Sequence, residues 1–136
     1  MSLGFNPALF SDWLQSLVSR IDGPGPTGGA VQLFSGTRPV VAGGDPPAGA
    51  ALQCSIALAR PCGVVAGGVL AFSTDGIEGV RVDDKTITWA RFVDAAGTPW
   101  IDADASLGTG TGDVRLTNVD GFIGGFVRIS SGGFSF

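Results

Sequence analysis

The chain repeats one pattern, a short alternating strand that runs into a turn, and the segment from Ala30 to Pro39 shows it most clearly. Val31 and Leu33 fall on one side of an extended backbone, and Gln32 and Phe34 fall on the other. The turn Ser-Gly-Thr-Arg-Pro follows at once. Its glycine allows a sharp change of direction, and its proline biases the preceding arginine toward an extended conformation. We therefore expect a strand that ends at a tight corner.

Similar strands recur along the rest of the chain. In Ala51 to Ala59, the side chains of Leu52, Cys54, Ile56 and Leu58 are predicted to point inward. Val64 to Phe72 is predicted to be a strand with a bulge at its Gly-Gly pair, and Thr86 to Asp94 is the strongest strand pattern. With 23 Gly and 8 Pro in 136 residues, turns are frequent and long helices are disfavoured. About seven short strands in this arrangement predict an all-β fold, an antiparallel β-sandwich.

Two tryptophans fall on strands that a hairpin is predicted to join. Trp89 lies in the strongest strand, and Trp100 lies in the strand that returns from the next turn. We expect these two rings to pack against each other across the strands.

The N-terminal segment has a helical period instead. Asn6-Pro7 is a favourable helix start, and the pattern predicts a helix from about Pro7 to Ile21. Its apolar stripe includes Phe10, Trp13 and Leu17. Two interpretations are open for this stripe: it packs on the β domain of its own chain, or it docks on a neighbouring subunit. The predicted organisation is a helical arm at residues 1–22, a Gly/Pro linker at 23–29 and a β-sandwich domain at 30–136.

Composition argues against several classes of function. Eight Lys plus Arg against 12 Asp plus Glu give a net charge of −4, which offers no basic surface for a nucleic-acid partner. The chain has no histidine, so the common catalytic triads and the commonest metal ligand are absent. The loop from Gly108 to Asp113 resembles a phosphate loop only in its glycines, because it lacks the Lys-Ser/Thr pair and precedes a strand. Asp102 and Asp104 could form a catalytic carboxylate pair, but we interpret them as solvated carboxylates on a strand. We expect neither enzyme activity nor a cofactor.

The two cysteines, Cys54 and Cys62, are too few for a disulfide scaffold or a zinc site. They are interpreted as buried free thiols, and a bridge across a tight turn at Arg60-Pro61 is the alternative. No apolar run reaches the ~20 residues of a membrane span, and no signal peptide is evident. We expect synthesis and folding in a reducing cytoplasm, with no membrane partner.

Beyond these patterns, the chain resembles a family of small virion proteins of tailed bacteriophages and prophages. The resemblance begins with the capped helix, the Gly/Pro break and the strand that ends in Phe34-Ser35-Gly36-Thr37-Arg38-Pro39. It continues through the alternating strand at 52–58, the strand at 87–94 and its return at 100–104. A Gly/Thr loop before a terminal hairpin, at 108–118, is the last match. Together these segments cover most of residues 5–130.

The resemblance implies a structural protein of a phage virion, most specifically a capsid decoration or cement protein that binds the assembled shell. The implied partners are further copies of the chain and the major capsid protein, and the implied location is the virion, assembled in the host cytoplasm. Phe10, Trp13, Leu17 and Arg38 are the candidate subunit contacts, although Arg38 could instead bind carbonyls or a carboxylate of its own chain. The exposed loops at 40–49 and 106–112 are further candidates. A tail or neck component and a carbohydrate-binding β module remain alternative functions.

Overall fold

The computed structural model describes residues 4–25, 28–74 and 77–135, and these contain one helix and nine strands. The helix α1 spans Pro7–Asp22 and precedes all the strands. The strands are β1 (Ala30–Phe34), β2 (Leu52–Ala57), β3 (Gly63–Ala66), β4 (Val69–Phe72), β5 (Glu78–Val80), β6 (Trp89–Val93), β7 (Pro99–Leu107), β8 (Val114–Leu116) and β9 (Phe126–Ser135).

The strands form one continuous sheet in the order β2-β1-β6-β7-β8-β9-β4-β3, with β5 paired to β9. The sheet curls into a half-barrel, and an isolated bridge between Cys54 and Arg81 links β2 to the residue after β5. The structure therefore confirms a mostly β fold with one N-terminal helix. It does not confirm a sandwich, because the strands do not separate into two packed sheets.

Long strands explain why the sheet curls instead of dividing. The first part of β7 pairs with β6, and its last three residues pair with β8. Along β9, successive segments pair with β5, β8 and β4. Each long strand thus carries the hydrogen bonding from one neighbour to another around the bend. The β7–β8 pair is parallel, so the expected antiparallel arrangement is wrong at this position.

A glycine-rich loop makes the short parallel connection from β7 to β8. Parallel neighbours usually need a dozen or more connecting residues, whereas here only residues 108–113 connect the strands. The chain folds closely against β7, because a Cβ atom at Gly112 would lie 2.9 Å from the carbonyl carbon of Ala105. The amide of Gly112 also donates to Ser106 Oγ at 3.0 Å. These glycines therefore allow close packing of the backbone.

The core lies on the concave side of the sheet, and α1 covers part of it. Leu14, Val18 and Ile21 of the helix are buried, and α1 packs against β3, β4 and β7. Next to it, Phe72 stacks on Phe92 with ring centroids 4.5 Å apart. The buried part of the apolar stripe thus packs on its own chain, as the first interpretation expects, and docking of the exposed part on a neighbouring subunit stays a prediction.

Both ends of α1 are well defined. At its start, Asn6 Oδ1 accepts the amide of Ala8 at 2.9 Å, as the Asn-Pro signal predicts. At its end, the amide of Cys62 donates to Asp22 Oδ1 at 2.9 Å, and Arg60 Nη2 donates to the carbonyl of Gly23 at 2.7 Å. The helix is therefore held to the body at residues 22–23. Residues 26–27 of the predicted linker lie outside the described residues.

Three local predictions need correction. Val64 to Phe72 is not one bulged strand but the β3–β4 hairpin, because Gly67 and Gly68 both take positive φ values and reverse the chain. The expected packing of Trp89 on Trp100 is wrong, because Trp89 faces Asp104 in the β6–β7 register.

The third correction concerns β2. Its pairing shifts at the end of β1, where Leu33 faces Cys54 but Phe34 faces Leu52. The extra residue, Gln53, is completely buried, and Leu52 is exposed. A bulge of this kind cannot be seen in the alternation of the sequence.

Both thiols are free and buried, so the bridged alternative is not present. Burial raises the pKa of both thiols above their ordinary value of 9.0. For Cys62 the pKa rises to about 12, first through burial and then through the charge and the hydrogen bond of Asp22.

The thiol of Cys62 makes the stability depend on alkaline pH. The folded chain keeps the proton up to about pH 12, whereas the unfolded chain loses it near its ordinary pKa of 9.0. The stabilising contribution is fully present below pH 9 and is lost as the pH rises toward 12. We expect the free energy of unfolding to fall across this range, and to fall less steeply in Cys62→Ala. Denaturant titrations at several pH values measure the free energy of unfolding of both proteins. If it falls equally with pH in the unmodified protein and in Cys62→Ala, the raised pKa of Cys62 is contradicted.

Candidate interaction surface

The corner after β1 is built around a buried tryptophan. Trp89 is 1% exposed, stacks on Phe34 with ring centroids 4.4 Å apart, and donates from Nε1 to the carbonyl of Ser35 at 3.1 Å. The neighbouring Thr88 donates from its amide to the carbonyl of Phe34 at 2.9 Å and from Oγ1 to that of Gly36 at 2.5 Å. The tight corner predicted from the sequence is present, and β6 fixes its position.

The loop that leaves this corner is closed at its base. The amide of Ser35 donates to the carbonyl of Ala51 at 3.0 Å, and the amide of Ala51 donates to Ser35 Oγ at 3.2 Å. Gly36 takes φ +79, and a Cβ atom there would lie 3.0 Å from Ala50 Cα. Residues 36–50, which we call the corner loop, therefore begin and end at adjacent points of the sheet.

Buried Gln53 supports the base of the corner loop. Its Nε2 donates to the carbonyl of Ala51 at 3.1 Å and to Asp83 Oδ2 at 2.9 Å. Its Oε1 accepts the amide of Lys85 at 2.8 Å. Gln53 thus joins the base of the loop to the turn after β5, and its bond is the main reason that the pKa of Asp83 is lowered.

A buried ion pair lies beneath the corner loop. Arg91 on β6 and Asp102 on β7 face each other in register and form two contacts, Nε to Oδ1 at 2.8 Å and Nη2 to Oδ2 at 3.1 Å. The loop backbone completes this pair: Gly43 donates its amide to Asp102 Oδ2 at 3.0 Å, and the carbonyl of Gly44 accepts from Arg91 Nη2 at 2.6 Å. The interpretation of Asp102 as a solvated carboxylate is therefore wrong.

Arg38 binds a carboxylate of its own chain. Its Nε lies 3.2 Å from Asp104 Oδ1, and both side chains are substantially exposed. The next residue, Pro39, is buried. Beyond it the loop presents Val40, which is 104% exposed, and Val41, which is 72% exposed. Two apolar side chains thus project into solvent from a loop that is held underneath by charged groups.

The candidate residues on α1 take different positions. Phe5, Phe10 and Trp13 form an aromatic cluster with ring centroids 5.6–6.0 Å apart. Trp13 is 43% exposed, whereas Leu17 packs against the core. The structure therefore brings Phe10 and Trp13 together at the surface and directs Leu17 inward.

A separate cleft of about 540 Å³ lies between the end of α1 and the β6–β7 turn. Trp100 lines it and donates from Nε1 to Asp94 Oδ2 at 3.1 Å, and the guanidinium carbon of Arg20 lies 5.2 Å from the Trp100 ring centroid. This hydrogen bond is the main cause of the lowered pKa of Asp94. The cleft thus combines an aromatic face with two charged groups.

The described residues contain no group of three or more His, Cys, Asp or Glu side chains placed to hold a metal ion. Over the same part of the chain, no helix is long and apolar enough to cross a membrane. Comparison with protein-family models, with curated proteins and with solved structures finds no match for this chain. The site is therefore interpreted from its own geometry.

The sequence identified Arg38 but missed the ion pair that supports the loop. Arg91 and Asp102 are ordinary members of two alternating strands, and their pairing depends on the β6–β7 register. The available signal was one basic and one acidic residue in strands joined by a predicted hairpin. Their burial depends on the corner loop folding over them, and that is a tertiary effect.

Two matched substitutions on β7 test the support of the corner loop. Asp102→Asn leaves the Arg91 charge buried without its carboxylate, and we expect a loss of about 3–5 kcal/mol in the free energy of unfolding. Asp104→Asn removes only the exposed contact to Arg38 and should cost at most about 1 kcal/mol. Denaturant unfolding measures both. The amide of Gly43 should exchange faster with solvent only in Asp102→Asn, and equal effects of the two changes would contradict this role.

Proposed function

We propose that this protein is a structural component of a tailed-phage virion, and specifically a decoration or cement protein that binds the assembled capsid shell. The observation that carries the proposal is the corner loop, whose apolar tip is held in a fixed position by the buried Arg91–Asp102 pair. A preformed loop loses little conformational freedom on binding, and such loops are common sites of recognition. The resemblance of the corner sequence to virion proteins supports the same function.

Binding would stabilise the shell by mass action. A subunit that contacts several neighbouring capsid proteins adds binding free energy only to the assembled state. This mechanism needs surface complementarity and no chemical step. This function would use no catalytic residues and no cofactor, and its partners would be the major capsid protein and further copies of the chain.

The tip of the corner loop and the four contact residues predicted from the sequence would contribute in different ways. Val40 and Val41 would enter an apolar depression on the shell, and Arg38 would hold its side of the loop through Asp104. Phe10 and Trp13 would supply a second contact on α1. Leu17 would act indirectly, since it packs the helix against its own body.

A paired substitution in the corner loop tests this proposal. Val40→Asp with Val41→Asp places two charges where the apolar tip would be desolvated, and we expect at least a tenfold loss of affinity for the shell. The measurement is co-sedimentation of the purified protein with empty capsids that lack it. Both residues are exposed, so the stability of the free protein should be unchanged.

Val64→Asp is the matched control, because Val64 is also exposed but lies on β3, away from the corner loop. It should bind the shell like the unmodified protein.

Trp13→Ser tests the proposed contact on α1 and keeps the helix in place, whereas deletion of α1 would expose the core. Unchanged decoration by the Val40/Val41 variant would overturn the loop contact, and binding of the unmodified protein to purified tails but not to capsids would favour a tail or neck component.

A carbohydrate-binding module is the second candidate, and the cleft at Trp100 is the observation that favours it. The structure buries Trp89 but leaves Trp100 38% exposed on a concave surface. Titration of glycans against tryptophan fluorescence distinguishes the two functions. A saturable change that Trp100→Ala abolishes would favour carbohydrate binding over a purely structural function.

A further inference from the structure

A second apolar surface lies on β5, the start of β9 and the turns next to them, and includes no residue of the corner loop. Five large apolar side chains there are between 48% and 72% exposed. We call this surface the β5–β9 patch, and its members are Val80, Val82, Phe122, Ile123 and Phe126.

The members of the patch are neighbours in the structure. Val80 faces Phe126 directly in the β5–β9 register, and Val82 follows two residues later, where the side chain returns to the same side. The turn before β9 is joined to this edge by hydrogen bonds, from the amide of Arg81 to the carbonyl of Gly125 at 2.8 Å and from the amide of Gly124 to the carbonyl of Arg81 at 2.9 Å. The patch is therefore one surface.

A buried arginine holds the patch from below. Arg81 is 1% exposed, and its Nη2 donates to the carbonyl of Lys85 at 2.5 Å. Gly121 lies directly against this side chain, because a Cβ atom there would be 2.9 Å from Arg81 Cδ. The turn after β5 and the turn before β9 thus pack on the same side chain, and the apolar residues that they carry keep a fixed spacing.

Charged groups border the patch at both ends. At one end, Arg128 Nε contacts Glu78 Oε2 at 2.7 Å, and the Arg128 side chain is 65% exposed. At the other end, beyond Val82, the chain continues into Asp83, Asp84 and Lys85, of which Asp84 and Lys85 are exposed. Arg128 and Glu78 balance each other at the first end, whereas the second end carries one net negative charge.

We propose that the β5–β9 patch is the interface between two copies of this chain related by a two-fold axis. A two-fold axis through the apolar centre reverses the strip, so that the end with Arg128 of one copy lies against the end with Asp84 of its partner. The Nε of Arg128 is occupied by Glu78 of its own copy, and its other donors then face the excess negative charge of the partner. The charge distribution thus fits a second copy in this orientation.

The size of the patch also fits a dimer. Five half-exposed Val, Ile and Phe side chains present on the order of 500 Å² of apolar surface, near the upper end of what a monomer exposes in one patch. A standard interface uses about 800 Å² per partner, with an apolar centre and a polar rim. The patch with its charged ends has this composition. No member of the patch belongs to the corner loop, so if the proposed function holds, a dimer would present two loops to a shell and bind it bivalently.

Sedimentation of the full chain tests the dimer without any capsid. We expect concentration-dependent dimerisation of the unmodified protein, and a loss of at least tenfold in dimer affinity for Phe126→Glu and for Ile123→Asp. Ile123 lies in a turn, so that change leaves the strands intact if Phe126→Glu disturbs β9. The Val40→Asp, Val41→Asp variant is the matched control, because it charges an equally exposed apolar site elsewhere and should dimerise normally.

Charge reversal tests the orientation. Arg128→Glu alone should weaken the dimer, and addition of Asp84→Arg should restore part of the affinity. A chain that stays monomeric at every concentration, or a dimer that none of the patch substitutions weakens, would overturn the proposal. The decoration assay tests the proposed function separately. A dimer that does not bind capsids would refute only that function. A monomer that binds capsids would refute only this interface.

Discussion

The Arg91–Asp102 pair determines how one side of the sheet is covered. Removing two charges from water costs several kcal/mol for each ion, so a buried pair persists only if further hydrogen bonds satisfy both groups. Here the corner loop supplies them, through the amide of Gly43 and the carbonyl of Gly44. The pair and the loop consequently depend on each other: the loop shields the charges from water, and the charges give the loop a single position.

The same dependence explains why a loop with Gly, Pro and Ala as its main residues is ordered. Side chains of that kind contribute few contacts of their own, and their backbone groups would otherwise be hydrogen-bonded to water. In this chain the base of the loop is closed by Ser35 and Ala51, its middle is bound by the ion pair, and Trp89 fills the space beneath the corner. The strands below the corner loop therefore hold it in one position, and its exposed tip can remain apolar.

Local sequence signals predicted the features that depend on local physics. The Asn-Pro start of α1, the end of the helix near Asp22 and the corner after β1 all follow from caps, glycines and prolines within a few residues. The features that were missed depend on partners distant in the chain. The bulge at Gln53 satisfies groups of the turn after β5, and the parallel β7–β8 pair requires a close approach that a pattern of alternation does not encode.

The candidate contact residues show the same difference between local sequence signals and distant partners. A helical stripe predicts which side chains share a face, but it does not predict which part of that face the body will cover. Leu17 therefore packs inward, whereas Trp13 is exposed. Arg38 could be identified as an isolated cation, and its carboxylate partner became evident only from the position of β7. Exposed apolar groups such as Phe126 gave no sequence signal, because their alternation is that of any strand.

The closed base of the corner loop has a consequence for how such a protein can change over time. Because Ser35 and Ala51 bring the two ends of the loop together, residues between them can be replaced or added at a cost that grows only slowly with loop length. The tip can then acquire a different shape while the half-barrel keeps its register. Affinity for a new surface and stability of the fold would be encoded by separate residues, and each could vary without loss of the other.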